Sequence, residues 1–311
     1  MVVLGEVLWD LFPDSARLGG AALNFAAHLQ RLRHRPWLVS AVGADLPGED
    51  ARMAITALGL DTRLLQSTAR FKTGSASVRT GPADQTWFTI ERPAAYDAVE
   101  LSEASVQQLV AWNPGWLYYG TLFPSYAPSR SVLHQLLNAL PSASRFYDVN
   151  LRPGFESPML VRELLQAADV VKLNERELGV VSELLNLPAD SEGFCRAGSE
   201  RHEWQAACVT LGARGCAMFV SGDYAEAPGL RVDVADTVGA GDAFAAAFVH
   251  GLVSGWPAAK IANFANRLGA LVAGSPGAIP DWTRKDAARD DDGHVSATDP
   301  PASLILNRFR S

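Results

Sequence analysis

Cysteine is scarce in this sequence: Cys195, Cys208 and Cys216 are the only three in 311 residues. The count is odd and no CxxC pair occurs, so neither a disulfide framework nor a zinc ribbon is indicated. Cys208 and Cys216 lie inside apolar runs, where a thiol serves as a small core residue. The six histidines are scattered, with no HxxxH or HExxH spacing, so a histidine-centred metal site or triad has no support. Basic residues are outnumbered, 27 against 34 acidic, for a formal net charge of -7. Nucleic acids and anionic membranes need a positive footprint, and neither is expected as a partner. No apolar run approaches the roughly 20 residues of a membrane-spanning helix. No basic stretch precedes the first apolar run, so no secretory signal is expected and the chain reads as cytoplasmic. A dinucleotide-binding dehydrogenase would carry G-x-G-x-x-G directly after its first strand, yet Gly5 is followed by Glu6, Val7, Leu8, Trp9 and Asp10.

What is present is an ordinary globular composition, 48% hydrophobic and 20% charged, on a chain long enough for one large α/β domain. Apolar runs and helix-period segments alternate from the first residue. Strands are expected at Val2–Leu8, Trp37–Val42, Trp116–Tyr119, Phe146–Val149, Val170–Leu173, Ala207–Leu211 and Cys216–Val220. Helices are expected at Gly20–Arg33 and at Leu46–Leu58, the latter opened by Pro47. This alternation predicts a mostly parallel sheet covered on both faces. One stretch differs: Ser75–Thr80 and Thr86–Glu91 alternate with period two around a Gly-Pro-Ala-Asp turn, predicting a hairpin that forms a small β flap or a plain edge hairpin. From about residue 285 the acidic and Pro-rich composition predicts loose order, with Leu304–Leu306 able to dock as a short element.

Chemistry concentrates in a few places. Asp236-Thr-Val-Gly-Ala-Gly-Asp242 runs straight into an apolar helix pattern, which places Gly239, Ala240 and Gly241 at a helix N-terminus. Unpaired N–H groups and the positive dipole end make such a turn an anion site. Asp242 stands beside it, where a carboxylate can take a proton from an alcohol; taken alone, the motif reads first as a favourable first-turn acid on a Gly-capped helix. A second small-residue turn, Gly19-Gly20-Ala-Ala-Leu-Asn24-Phe-Ala26, precedes a helix. Asp148-Val-Asn150-Leu-Arg152 follows a strand, at the sheet edge where open α/β folds bind ligands, and Arg152 could grip an anion or form a surface ion pair.

Both small-residue turns, in this order and over 200 residues apart, fill the two signatures of the ribokinase-like, PfkB-type carbohydrate kinases, which this chain resembles over about residues 1–282. The resemblance is strongest to fructokinases, through Leu4–Asp10 and Phe88–Asp97, while the D-x-N-x-R segment resembles fructokinases and 2-keto-3-deoxygluconate kinases more than ribokinases. It implies a three-layer α/β/α sandwich with a β lid drawn from about residues 10–18 and 70–97, ATP and Mg2+ as cofactors, and phosphoryl transfer to a small sugar. The resemblance assigns Asp242 as base, and Gly239, Ala240 and Gly241 as the anion hole. It assigns Asp10, Gly19, Gly20, Asn24 and Arg152 to the sugar. Asn174 and Glu177, an N-x-x-E pair, would organise magnesium and phosphate largely through water. Thr210, Gly212, Gly215 and Asn266 would line the nucleotide side. Asp236 and the carbonyl of Val238 would hold a potassium-type ion.

Only eight residues separate Asp10 from Gly19, a shorter segment than many fructokinases have. The sugar therefore stays open among fructose, 2-keto-3-deoxygluconate and another ketose, pentose or nucleoside, and so does a lid-mediated homodimer. A catalytically silent sugar- or nucleotide-binding protein on the same scaffold is the non-enzymatic alternative.

Overall fold

A computed structural model describes residues 1–80 and 86–288. The chain opens with β1 (Val2–Leu4), β2 (Leu8–Phe12) and β3 (Ser15–Gly19), then α1 (Ala21–Arg31), β4 (Trp37–Gly43), α2 (Leu46–Ala57) and β5 (Leu65–Thr68). A hairpin of β6 (Gly74–Thr80) and β7 (Thr86–Ile90) follows, then α3 (Glu103–Trp112), β8 (Trp116–Gly120), α4 (Ala127–Ala139) and β9 (Ser144–Asp148). The second half runs through α5 (Pro158–Gln166), β10 (Val170–Asn174), α6 (Glu175–Leu185), α7 (Ser191–His202), β11 (Ala206–Thr210), β12 (Gly215–Val220) and β13 (Asp223–Pro228). It closes with α8 (Ala240–Val253), α9 (Ala258–Ala273) and α10 (Arg284–Ala288).

Nine strands form the main sheet in the order β13-β12-β11-β10-β9-β8-β1-β4-β5, parallel from β11 to β5 and antiparallel at the β11–β12–β13 end. Along each strand alternate residues face opposite layers, and a separate apolar core lies on each face. On one face Leu109, Leu133, Leu136, Leu164, Val181 and Phe194 of the helices α3 to α7 pack on Leu117, Tyr119, Tyr147 and Val171. On the other, Phe25, Phe244, Phe248 and Ile261 of α1, α8 and α9 pack on Val3, Tyr118, Phe146 and Cys208. Helix α8 is apolar nearly all round because it lies under both α1 and α9, with Ala243 to Leu252 all buried. All three cysteines are buried and free, as core packing requires.

The first expected strand is corrected. Val2–Leu8 is not one strand: β1 ends at Leu4, and the chain leaves the main sheet so that Leu8 begins β2 in a second sheet. The apolar run conceals this break, because the hinge residues Gly5, Glu6 and Val7 are themselves buried. The second sheet has the order β3-β2-β6-β7. The predicted hairpin is therefore half of a four-stranded lid: β2 pairs parallel with β6, and β2–β3 forms a hairpin of its own. The Gly-Pro-Ala-Asp turn lies outside the described residues, as do residues 289–311 with Leu304–Leu306. Residues 284–288 form α10, whose Ala287 is buried in the α8–α9 layer.

Packing density predicts one sharp stability effect. A Cβ on Gly198, in α7, would sit 2.2 Å from the Cε3 of Trp204. That indole is buried and anchored by its N–H to the Leu165 carbonyl at 3.3 Å, so it has little room to yield. Gly198→Ala is expected to cost about 1–3 kcal/mol of overpacking, read as a lowered urea midpoint at unchanged m-value.

Candidate active site

The carboxyl ends of β9, β10 and β11 deliver Asp148, Asn174 and Thr210 to one edge of the sheet, and α8 begins beside them. Gly239 caps α8 with φ of 81°, and a Cβ there would meet the Ala278 backbone at 2.6 Å; only glycine fits. Asp242 is the third residue of the helix. Its amide and that of Ala243 turn back to the Gly239 carbonyl at 3.1 and 2.9 Å, while the Ala240 amide makes only a long 3.4 Å approach to Thr237. The amides of Gly239 and Gly241 make no backbone hydrogen bond among the described residues, which leaves them available at the helix N-terminus, as an anion site needs.

Helix α1 approaches from the other side of the chain. Gly20, at φ of 108°, lets the turn pass within reach of the Glu6 backbone, where a Cβ would stand 2.5 Å from its carbonyl oxygen. Asn24, one turn into α1, donates from Nδ2 to Oδ2 of Asp242 at 2.8 Å. The Oδ1 of Asn24 is buried and has no hydrogen-bond partner among the described residues. An orphaned acceptor of this kind costs about 1–3 kcal/mol and is relieved by a ligand hydroxyl.

These residues surround a polar cavity of about 290 Å³ lined by Asp10, Gly20, Asn24, Arg152, Asn174, Val238, Gly239, Gly241 and Asp242, with β2, β6 and β7 of the lid as one wall. Gly19 stands behind Asp10, since a Cβ there would lie 2.6 Å from its Oδ2. Burial raises the carboxyl of Asp242 to about 7, helped by the charge of Asp148 and opposed by the Asn24 hydrogen bond and by Lys172 and Arg152. Burial likewise raises Asp10 to about 6 against the pull of Arg152. A carboxylate titrating near neutrality beside these available amides is equipped to accept a proton at physiological pH.

A second cavity, about 670 Å³ and mostly apolar, lies on the far side of the same turn. Gly212, Gly215, Phe244, Asn266 and Ala270 line it, as do Val232 and Val234. Asn266 is spent on the β13 end, donating from Nδ2 to the carbonyls of Ala227 and Pro228 at 3.1 Å each. Thr210, Thr237 and Gly241 line both cavities, so the anion turn is their shared wall. A nucleotide-sized slot and a small polar pocket that meet at an anion site match the needs of a phosphoryl donor and acceptor.

Two predicted assignments take a different form. Asn174 and Glu177 make a reciprocal capping box at the start of α6: the Glu177 amide donates to Asn174 Oδ1 at 3.0 Å and the Asn174 amide to Glu177 Oε2 at 2.9 Å. The other Glu177 oxygen accepts from the Leu151 amide at 2.8 Å and holds the Asn150–Arg152 loop. Glu177 is buried with both oxygens engaged, while Asn174 is exposed in the cleft. Asn174 lines the polar cavity, whereas Glu177 lines neither cavity and serves to hold Asn174 and the Asn150–Arg152 loop, so a magnesium brought in by nucleotide phosphates would meet Asn174 through water and Glu177 only through the groups it positions. Among the described residues no three His, Cys, Asp or Glu side chains converge as a preformed metal cage. Asp236 does not fit a potassium-type ion. Its Oδ1 accepts from the Val238 amide at 3.0 Å, and its Oδ2 accepts from the Gly277 amide at 3.2 Å and from Nη1 of Arg17 at 2.7 Å. A metal cation bound there would face a guanidinium on the same oxygen.

Sequence reasoning missed two groups. Glu6 is buried at the hinge and accepts from the Ala21 amide at the start of α1 at 3.0 Å, on the floor of the polar cavity. Lys172 hides in the apolar run Val170–Leu173. Its Nζ donates to both oxygens of Asp148 at 3.0 and 3.2 Å and lies 3.4 Å from where a Cβ of Gly241 would be. A cation inside an otherwise apolar strand was the one available signal, because a lysine is almost never fully buried unpaired.

A family model, pfkB family carbohydrate kinase, matches residues 14–285. The fructokinase of Escherichia coli is 30% identical over 297 residues, covering 89% of this chain and 94% of that one. Among solved structures, the ATP-bound fructokinase of Xylella fastidiosa superposes with a TM-score of 0.77 at 23% identity, over 90% of this chain and 93% of that one. The 2-dehydro-3-deoxygluconokinase of Thermotoga maritima reaches a TM-score of 0.82 at 18% identity, over 92% and 97%. The chain belongs to the pfkB family of carbohydrate kinases. It has the ribokinase-like α/β/α sandwich with its small lid sheet, and it is a phosphotransferase that acts on a sugar. Among the described residues no helix is long and apolar enough to cross a membrane.

Proposed function

We propose that this protein phosphorylates a neutral ketose, fructose first among them, with ATP as donor. The observation that supports it best is the carboxylate composition of the small cavity. Glu6, Asp10 and Asp242 face it, Lys172 is held by Asp148, and Arg152 stands among them. Such a lining suits a polyol whose hydroxyls donate to carboxylates, and it repels an anionic sugar acid. The similarity to the Escherichia coli fructokinase agrees.

In this reading the unit is residues 1–282 with the lid built from about 10–18 and 70–97. Asp10, Gly20 and Asn24 orient the sugar, Gly19 keeps Asp10 in place, and Arg152 closes the far end. Asp242 takes the proton of the attacking hydroxyl as its oxygen bonds to the γ-phosphorus. The bond from that phosphorus to the bridging oxygen breaks, and ADP leaves with the electron pair. The amides of Gly239, Ala240 and Gly241 meet the charge on the transferring group. Asn174, held in place by Glu177, would meet through water a magnesium ion bound with the nucleotide, which would supply neutralisation of phosphate charge. Thr210, Gly212, Gly215 and Asn266 wall the nucleotide slot.

The similarity of fold to the Thermotoga sugar-acid kinase, together with Arg152, supports a second reading, 2-keto-3-deoxygluconate. ADP release with Mg-ATP across fructose, tagatose, ribose, adenosine and 2-keto-3-deoxygluconate separates the two. Fructose is expected to stand above the rest. A higher kcat/KM for the sugar acid would transfer the assignment to it.

A further inference from the structure

Arg17 reaches from the lid into the anion turn. It lies on β3, directly across the hairpin from Asp10 on β2. Its guanidinium carbon sits 5.0 Å from the centre of the Phe12 ring, which steadies the side chain. From there Nη1 donates to Asp236 Oδ2 at 2.7 Å, across 219 residues of sequence. Asp236 is not a free surface acid. Its remaining bonds are to the amides of Val238, within the anion turn, and Gly277, in the loop that backs it. A Cβ on Gly277 would lie 3.8 and 3.9 Å from Cδ and Nη1 of Arg17. That same loop carries Ala278, against which Gly239 is packed. The Arg17 head therefore stands where the aspartate, the anion turn and its backing loop meet.

Exposed ion pairs contribute little to stability as a rule. This one differs in what it connects: one hairpin presents Asp10 to the polar cavity and Arg17 to the aspartate that braces the phosphoryl-binding amides. We propose that Arg17 is the built-in cation of this turn. It takes the place of a monovalent metal ion beside Asp236, and it makes the geometry of the anion hole depend on the lid being seated. Arg17 is a positioning residue in this account, since it acts through Asp236 and touches neither sugar nor phosphate. The inference rests on the sugar-kinase reading of the site.

The test uses the full chain as wild type and as Arg17→Ala, in potassium chloride and in choline chloride at equal ionic strength. Calorimetry gives the affinity for a non-hydrolysable ATP analogue with magnesium, and ADP release gives turnover with the accepted sugar. The wild type is expected to change by less than about twofold between the two salts in both readouts. Arg17→Ala is expected to lose about tenfold or more in kcat in choline, with the sugar KM little changed, and to recover on adding potassium or millimolar guanidinium. The side chain is 42% exposed, so the variant is expected to fold, with a melting temperature near that of the wild type. Potassium activation of the wild type, or an Arg17→Ala variant that behaves as wild type in both salts, would overturn the proposal. If the wild type phosphorylates no sugar, the kinase reading fails by itself and the binding arm still decides. Analogue affinity that becomes potassium-dependent only in Arg17→Ala supports the built-in cation, and affinity equally dependent or independent in both proteins refutes it.

Discussion

Asp242→Asn is expected to lower kcat by about 10²–10⁴-fold, the usual contribution of a positioned general base, while ATP binding stays close to that of the wild type. The amide is nearly isosteric and can still accept from Asn24 Nδ2, so geometry survives and basicity is lost. The wild-type pH profile should show the same group. Burial holds Asp242 protonated up to about pH 7, and the base works only when ionised. The rate therefore falls about tenfold per pH unit below that value and levels off above it. An acid limb near pH 4 would mean that a solvated carboxylate, not this one, takes the proton. Stability supplies a check independent of catalysis. A carboxyl raised from 3.8 unfolded to about 7 folded favours the folded state while it is protonated, and that contribution is lost as pH rises through 7. Asp242→Asn, unable to ionise, is expected to melt above the wild type at pH 8, with the difference narrowing toward pH 5.

Lys172→Met is expected to destabilise the protein by about 3–5 kcal/mol, because it leaves the carboxylate of Asp148 buried without its partner. Asp148 is wholly buried and its carboxyl is already pushed up by burial, against the pull of Lys172. Burial alone would pull Lys172 down, but the carboxylates of Asp148, Glu177 and Asp242 outweigh it and the net shift is upward. Each charge is tolerable only with the other. The double variant Asp148→Asn with Lys172→Met removes both charges and is expected to recover much of the lost stability in urea unfolding. Turnover should not recover with it. The Lys172 ammonium sits under Gly241 of the anion turn, and neither variant restores a positive charge there. A single-variant cost below about 1 kcal/mol would mean that water reaches the pair.

The sequence determined what depends on near neighbours. Strand and helix periodicity predicted the main sheet and its two covering layers, because side chains one turn or two residues apart share a face whatever the rest of the chain does. The glycines before α1 and α8 were legible for the same reason, since the backbone turns they permit are local. The turn before α8 was legible as an anion site from those glycines, while the proposed roles of Asp242 and Asn24 came only from the resemblance to the PfkB-type kinases. Tertiary structure decided everything that joins distant segments. Val2–Leu8 reads as one strand because its apolar run continues through the hinge; only the packing of α1 against Gly5 and Glu6 divides it between two sheets. Lys172 meets Asp148 because parallel pairing of β9 and β10 sets those two residues opposite each other. Asp236 is claimed by Arg17 because the lid hairpin folds back over a turn 219 residues away. Charge partners across such separations leave no periodic trace in the sequence, since register and topology, not local propensity, bring them within bonding distance.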